Sequence, residues 1–196
     1  MGSTLDGCGT ETEEQLLRRF ARGDADAATA LAQIFLPLVL RYARRMLGDP
    51  IEAEDVAQDA MLRLWRIAPD WRSGEAKIST WLYRVTANLC TDRLRRRRPT
   101  SLEESAEPED PAQSAFDGLQ QKSRHDALQL GLQALPERQR QAVVLRHIEG
   151  RTNPEIAEIL DISVEAVESL TARGKRTLSA ALAGRKSELG FEDDQT

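Results

Sequence analysis

An all-α fold, two small helical domains joined by a flexible acidic linker, is what the sequence predicts, and three observations carry the prediction. Apolar residues recur every three or four positions through residues 13–98 and again through 124–184, the period of helices with one buried face. Between these stretches, residues 99–121 hold six acidic side chains, three prolines and no basic residue. Such a segment buries too little apolar surface to offset its ordering entropy. Finally, aromatics are only 5% of the chain and charged residues 30%, which fits small helical cores. The expected organisation is a disordered tail over 1–12, a first domain over 13–98, the acidic linker over 99–123, a second domain over 124–184 and a C-terminal tail over 185–196.

The elements follow in order. Glu13 to Arg22 places Leu16, Leu17 and Phe20 on one face and stops at Gly23, a good residue just beyond a helix end. Asp24 opens the next helix, with Ala28, Leu31, Ile34 and Phe35 at helical spacing, which runs past Pro37 to Leu47 and Gly48. Asp49-Pro50 is an N-cap followed by a proline at the first helical position. The helix it starts carries Val56, Ala60, Leu64 and Ile67 inward and Asp55, Gln58, Asp59, Leu62 and Arg66 outward. A loop over 70–77 precedes a long helix from Ile78 or Ser79 to about Arg97, with Ile78, Trp81, Leu82, Val85 and Leu89 as its buried stripe. In the second half a helix ends at Leu135, and another runs from Pro136 to Gly150. Thr152-Asn153-Pro154 caps a short helix over Glu155 to Leu160, and Asp161-Ile162-Ser163 is a tight turn. Ser163 caps a last helix whose Val167, Leu170, Gly174, Leu178 and Ala181 face inward.

Several function classes are excluded early. The longest apolar stretch, Leu31 to Leu40, is broken by Gln33 and Pro37, whereas a bilayer span needs about 20 apolar residues. No signal peptide is read at the N-terminus either, so the expectation is a cytoplasmic protein without membrane insertion. Cys8 and Cys90 lie far apart, and His125 and His147 have no zinc-ligand spacing, so no disulfide, metal or cofactor is expected. Neither a phosphate-cradling glycine loop nor a Ser/His/Asp grouping is present, and the chain is not read as an enzyme.

The net charge of −5 conceals an uneven distribution, +2 over residues 1–98, −6 over 99–121 and −1 over 122–196. Arg84, Asn88, Thr91 and Arg95 share one face of the long helix, which ends in Arg93-Leu-Arg-Arg-Arg-Arg98. These guanidiniums repel one another unless something anionic lies alongside, and phosphates are the obvious candidate. The solvated helix end, where basic residues suit the macrodipole, is the alternative. In the 70–77 loop, Trp71 and Arg72 offer flat surfaces for stacking an unpaired base, and Gly74 permits close backbone approach. Taken singly, Trp71 and Trp81 read equally well as core aromatics. In the second half, two helices joined by a three-residue turn form a helix-turn-helix pattern. Glu165, Glu168, Ser169, Arg173 and Arg176 line the exposed face of its last helix. Arg173, Lys175 and Arg176 suit phosphates or guanine; the two glutamates suit either cytosine N4 or simply the helix N-terminus.

Taken together, three motifs in this order resemble an extracytoplasmic-function sigma factor, a group of the bacterial sigma-70 family. They are Ala53-Glu-Asp-Val-Ala-Gln-Asp-Ala-Met-Leu-Arg-Leu-Trp65; Ser79-Thr-Trp-Leu-Tyr-Arg-Val-Thr-Ala-Asn88 with Asp92 and Arg93; and Leu135-Pro136-Glu-Arg-Gln-Arg140 with Glu155-Ile156-Ala157-Glu-Ile-Leu160. The resemblance implies that the first domain is sigma region 2 and the second is region 4. It further implies that Asp55, Gln58, Asp59, Met61 and Trp65 grip the β′ clamp helices of RNA polymerase core. Trp71, Arg72, Arg84, Asn88, Arg95, Arg96 and Arg97 would read the −10 element of promoter DNA, where a flipped base of the opened strand enters a pocket. Glu165, Glu168, Ser169, Arg173 and Arg176 would meet the −35 element, and region 4 would touch the β flap. A cognate anti-sigma factor is the implied regulator. The recognition helix departs from the family pattern at Glu165, Ala166, Glu168 and Leu170.

Two rival readings are a sigma-like decoy that titrates an anti-sigma factor and a stand-alone helix-turn-helix regulator. A decoy has no need of the arginine run, the Trp71 loop and the 55–65 surface, all of which are present; a regulator has no need of the first domain.

Overall fold

The computed structural model describes residues 12–72, 74, 76–97 and 116–183, with 116–123 as backbone alone. The expected N-terminal tail up to residue 11 (Cys8 with it), Arg98, the linker up to residue 115 and the C-terminal tail lie outside the described residues.

The described residues form eight α-helices and no strand: α1 (Glu13–Ala21), α2 (Ala25–Leu47), α3 (Pro50–Ile67), α4 (Ile78–Arg97), α5 (Phe116–Gln133), α6 (Glu137–Val143), α7 (Asn153–Leu160) and α8 (Val164–Ala183). A 3-10 turn over Ala68–Asp70 follows α3, and one π-helical turn over Val144–Ile148 extends α6. All but the first of the caps are those expected from the sequence. Thr12 and Gln15 form a reciprocal capping box on α1, Asp24 and Asp49 cap α2 and α3, and Thr152 with Glu155 forms a second capping box on α7. Because Thr152 is the cap, α7 begins at Asn153, two residues before the expected start. Pro37 lies inside α2 and leaves the helix unbroken, at the cost of one backbone donor.

Two buried clusters organise the molecule. The first lies among α1 to α4 and is built from Leu17, Leu31, Phe35, Ala57, Ala60, Leu64, Ile78 and Leu82. The second belongs to neither half alone. Tyr42, Met46 and Leu47 of α2 with Tyr83, Ala87 and Cys90 of α4 meet Leu132, Leu135, Val144, Leu145, Ile156, Ile159 and Val167 of the second half. α4 is thus buried toward both clusters at once. Thr80, Tyr83, Thr86, Ala87 and Cys90 are covered as well as Ile78 and Leu82, while Trp81, Val85 and Leu89 are only half-buried. This corrects the expected stripe: a helix packed on two sides has no single apolar face.

Two further differences concern the second half. α5 starts at Phe116, so residues 116–123 are helical where the sequence predicts linker. On α8, Val167 and Gly174 are buried and Leu170 and Leu178 half-buried, but Ala181 is exposed and Leu182 takes the inward place. Gly174 is required by its neighbours, since a Cβ there would stand 2.6 Å from Val143 Cγ2 and 3.1 Å from the Gln139 carbonyl oxygen. The missing side chain lets α8 cross α6 at close range.

Candidate functional site

Helical periodicity positions the first surface. Asp55, Gln58 and Asp59 of α3 are exposed in one row with Leu62, itself 49% exposed. Acidic and apolar groups therefore stand side by side on this face of α3. Asp55 also lies 3.5 Å from Arg93 of α4. Met61, expected on this surface, is a correction. It is 6% exposed and sits in the first cluster with Ala57, Ala60 and Leu64. Trp65 is half-buried, its ring 4.5 Å from that of Phe20.

A second surface is the 70–77 loop with the adjoining face of α4. Trp71 is half-buried and packs edge-on against Trp81, with 5.9 Å between centroids and 90° between planes. Its indole Nε1 is buried without a hydrogen-bond partner. The aromatic is therefore a wall of the loop rather than a freely presented platform. Arg72 is exposed, and Gly74 takes a left-handed φ of +85° that its lack of a Cβ permits. Residues 73 and 75 of this loop lie outside the described residues. Along α4, Arg84, Asn88, Thr91 and Arg95 line a cleft of about 630 Å³, whose other wall is Glu137, Arg138, Gln141, Leu160 and Asp161 of the second half.

The arginine run has anions beside it, and they belong to the chain itself. Arg97 lies 2.6 Å from Glu52 and 3.7 Å from Asp49, and it donates to the Leu47 carbonyl at 3.2 Å. Arg93 pairs with Asp55. Arg93 and Arg97 thus have acidic neighbours on α3, while Arg95 faces the cleft and Arg96 is exposed.

On the third surface, Glu165, Glu168, Arg173 and Arg176 of α8 are exposed and Ser169 is half-buried. Ser163 Oγ accepts from the Ala166 N–H at 3.2 Å. The Glu165 carboxyl is held below its usual range by its own backbone N–H and then by Ser163, so it already acts at the N-terminus of its own helix. Glu168 accepts from Asn153 Nδ2 at 3.4 Å, and Arg173 donates to Ser169 Oγ.

A polar network between the halves carries no sequence signature. Glu149, just before Gly150, has a side chain of 0% exposure. It accepts from Arg41 Nε at 2.9 Å, from Arg41 Nη2, and from the Tyr83 hydroxyl at 2.6 Å. Burial, and then the bond to Glu149, pushes the Tyr83 hydroxyl well above its usual pKa, while the Glu149 pair raises that of Arg41. Arg151 lies over the Tyr83 ring at 5.4 Å. At the C-terminus of α2 the orphan carbonyls are satisfied from the other half. Gln129 donates to those of Arg44 and Arg45, Gln133 to those of Arg45 and Met46, and buried Arg140 to that of Met46.

Among the described residues no group of three His, Cys, Asp or Glu side chains is placed to hold a metal, and no helix is long and apolar enough to cross a membrane.

Comparison with known proteins shows the family of the two helical halves. Residues 31–100 match the family Sigma-70 region 2, and residues 125–178 match Sigma-70, region 4. The ECF RNA polymerase sigma factor SigW of Bacillus subtilis is 32% identical over 177 residues, spanning 85% of this chain and 94% of the relative. The RNA polymerase sigma-H factor of Pseudomonas aeruginosa is 32% identical over 190 residues, spanning 88% and 94%. Among solved structures, CnrH in complex with the cytosolic domain of CnrY is similar with a TM-score of 0.65 and 26% identity, covering 88% of this chain and 97% of that one.

Proposed function

The chain belongs to the extracytoplasmic-function sigma factors of the sigma-70 family, and on that premise we propose that it recruits RNA polymerase core to a specific set of promoters, helps to open them, and is restrained by an anti-sigma factor. The observation that carries this reading is the order of two family matches, region 2 then region 4, over the two helical halves. Asp55, Gln58, Asp59 and Trp65, with Leu62 beside them, are the group offered to the β′ clamp helices. Trp71, Arg72, Arg84, Asn88, Arg95, Arg96 and Arg97 are offered to the −10 element, and the exposed face of α8 to the −35 element, with the β flap as the further contact of the second half.

The physics of the second surface suits strand opening. A base that has left the stack gains a wall such as Trp71 with Trp81 only once the duplex has parted, so the binding energy is available to the melted state alone. Phosphate contacts from Arg84, Arg95 and Arg96 add affinity without sequence preference. A cytoplasmic place of action and the absence of catalysis follow from the same reading. The anti-sigma partner is supported by CnrH, which is solved with the cytosolic domain of CnrY on it.

The test is transcription in vitro with core polymerase from the native host on a library of its promoter fragments. A promoter-specific transcript that depends on this chain is the expected result. A decoy or a stand-alone regulator would give none.

A further inference from the structure

The exposed face of α8 carries two carboxylates near its start, and their surroundings give them different roles. α8 begins at Val164, so Glu165 is its second residue and Glu168 its fifth. The Glu165 carboxyl is engaged by its own backbone N–H and by Ser163, and the helix dipole favours an anion in that first turn. Neither holds for Glu168. The dipole acts within the first turn, which Glu168 has left. The positions three and four residues away hold Val164, Glu165, Thr171 and Ala172, so no cation of α8 stands at ion-pair spacing. Arg173, the nearest cation along the helix, donates Nε and Nη2 to Ser169 instead. What Glu168 has is Asn153, the first residue of α7, whose Nδ2 donates to its Oε1 at 3.4 Å. That bond ties the side chain across the two helices of the helix-turn-helix and leaves Oε2 without a partner among the described residues. The result is an exposed carboxylate, fixed in place and not neutralised, in the second turn of the helix whose N-terminal part meets base edges in this motif.

The four bases differ in what they offer a carboxylate from the major groove. Cytosine presents the N4 amino donor, guanine the N7 and O6 acceptors, thymine the O4 acceptor and a methyl group, and adenine an N7 acceptor beside its N6 donor. An ionised carboxylate accepts and cannot donate. It is therefore satisfied by cytosine, and it gives up its water without return against guanine or thymine. We propose that Glu168, steadied by Asn153, selects a cytosine in the −35 element by accepting from its N4 amino group and excludes guanine and thymine from that position, while Glu165 serves its own helix and reads no base. The inference rests on the sigma-factor reading, which lays α8 in the groove. The negative charge weakens binding to every DNA through the phosphates, and the loss is made good only where cytosine stands, so Glu168 adds selectivity by rejection as well as by attraction.

The experiment uses the full chain with core polymerase from the native host. A promoter that the parent chain transcribes is randomised in its −35 segment, and sequencing the templates of the transcripts gives the base preference at each position. The variants are Glu168→Gln and Glu168→Ala, with Glu165→Gln as the control. Both positions are exposed, so the fold is not at stake, and circular dichroism verifies it. The parent chain is expected to favour cytosine over guanine or thymine about tenfold at one −35 position. Glu168→Gln moves that preference to adenine, whose N6 and N7 match an amide; Glu168→Ala flattens it; Glu165→Gln leaves it in place. A base profile unchanged by Glu168→Gln would overturn the inference, whether transcription stays level or rises alike from every −35 segment, as it does when a carboxylate merely repels phosphates. A cytosine preference that Glu165→Gln removes would overturn it as well. Failure of the sigma-factor reading looks different: the parent chain then gives no promoter-specific transcript from any host fragment, and this inference falls with it.

Discussion

At the scale of single residues, Met61 and Asp59 separate two roles within two positions of one helix. Met61 sits among Ala57, Ala60 and Leu64 in the first cluster, so Met61→Ala removes buried contacts and leaves a cavity. The expected loss is about 2–5 kcal/mol of stability, read as a lower denaturation midpoint, with affinity for core polymerase unchanged once the protein is folded. Asp59 is exposed, and Asp59→Arg should leave the midpoint in place while weakening core binding several-fold and altering its salt dependence. Core affinity equal to that of the parent after Asp59→Arg would remove α3 from the polymerase contact. Helical spacing fits the burial of Met61, which stands four residues after Ala57 and three before Leu64, but the inward row expected from the sequence, Val56, Ala60, Leu64 and Ile67, leaves it out. It was the family resemblance, carried over by motif position, that set Met61 on the surface.

At the scale of elements, the caps were legible and the faces less so. Asp24, Asp49, Thr152 and Ser163 were readable because capping is local, a side chain meeting a backbone N–H two or three residues on. The cap of α7 also titrates. Glu155 is brought down to about 2, first by the backbone N–H of Thr152, then by the Thr152 hydroxyl and by Lys77. A folded-state pKa below the unfolded one gives stability that is complete above the ordinary carboxylate range and is lost as pH falls from there toward about 2. Glu155→Gln should therefore lower stability near neutral pH and flatten the acid limb of a denaturation series, whereas an acid limb identical to that of the parent would show the cap to be inert. The crossing of α6 and α8 is a different kind of element-level constraint. Gly174→Ala would drive a methyl group against Val143 and the Gln139 carbonyl, for an expected loss of about 1–3 kcal/mol despite the better helix propensity of alanine. A midpoint equal to or above that of the parent would mean that α8 can move aside. α4 defeated the single-face reading because its apolar residues serve two clusters, and amphipathicity detects only one.

At the scale of the whole molecule, the division into two helical halves was legible in composition, but their association was not, for a physical reason. Arg41 and Glu149 are 108 residues apart, and each alone reads as an ordinary solvated charge. Only the fold reveals that one is the counter-ion of a fully buried carboxylate. The same holds for Arg140, whose guanidinium donates to Met46, Gln133 and Leu135. Because Tyr42, Met46 and Tyr83 are buried against Leu132, Val144 and Ile156 in one cluster, neither half can melt without exposing apolar surface of the other. The full chain should therefore unfold in a single calorimetric transition, with calorimetric and van't Hoff enthalpies in agreement. Arg140→Ala removes the donor that links Met46 of the first half to Gln133 and Leu135 of the second, leaving buried acceptors unpaired at about 1–3 kcal/mol each. That variant should still melt in one transition, because the apolar cluster remains shared, but at a lower midpoint. Two resolved transitions in the parent chain would mean that the halves are energetically independent, and the buried Glu149 would then have to be held by its own half alone, for which its partners Arg41 and Tyr83 lie on the wrong side.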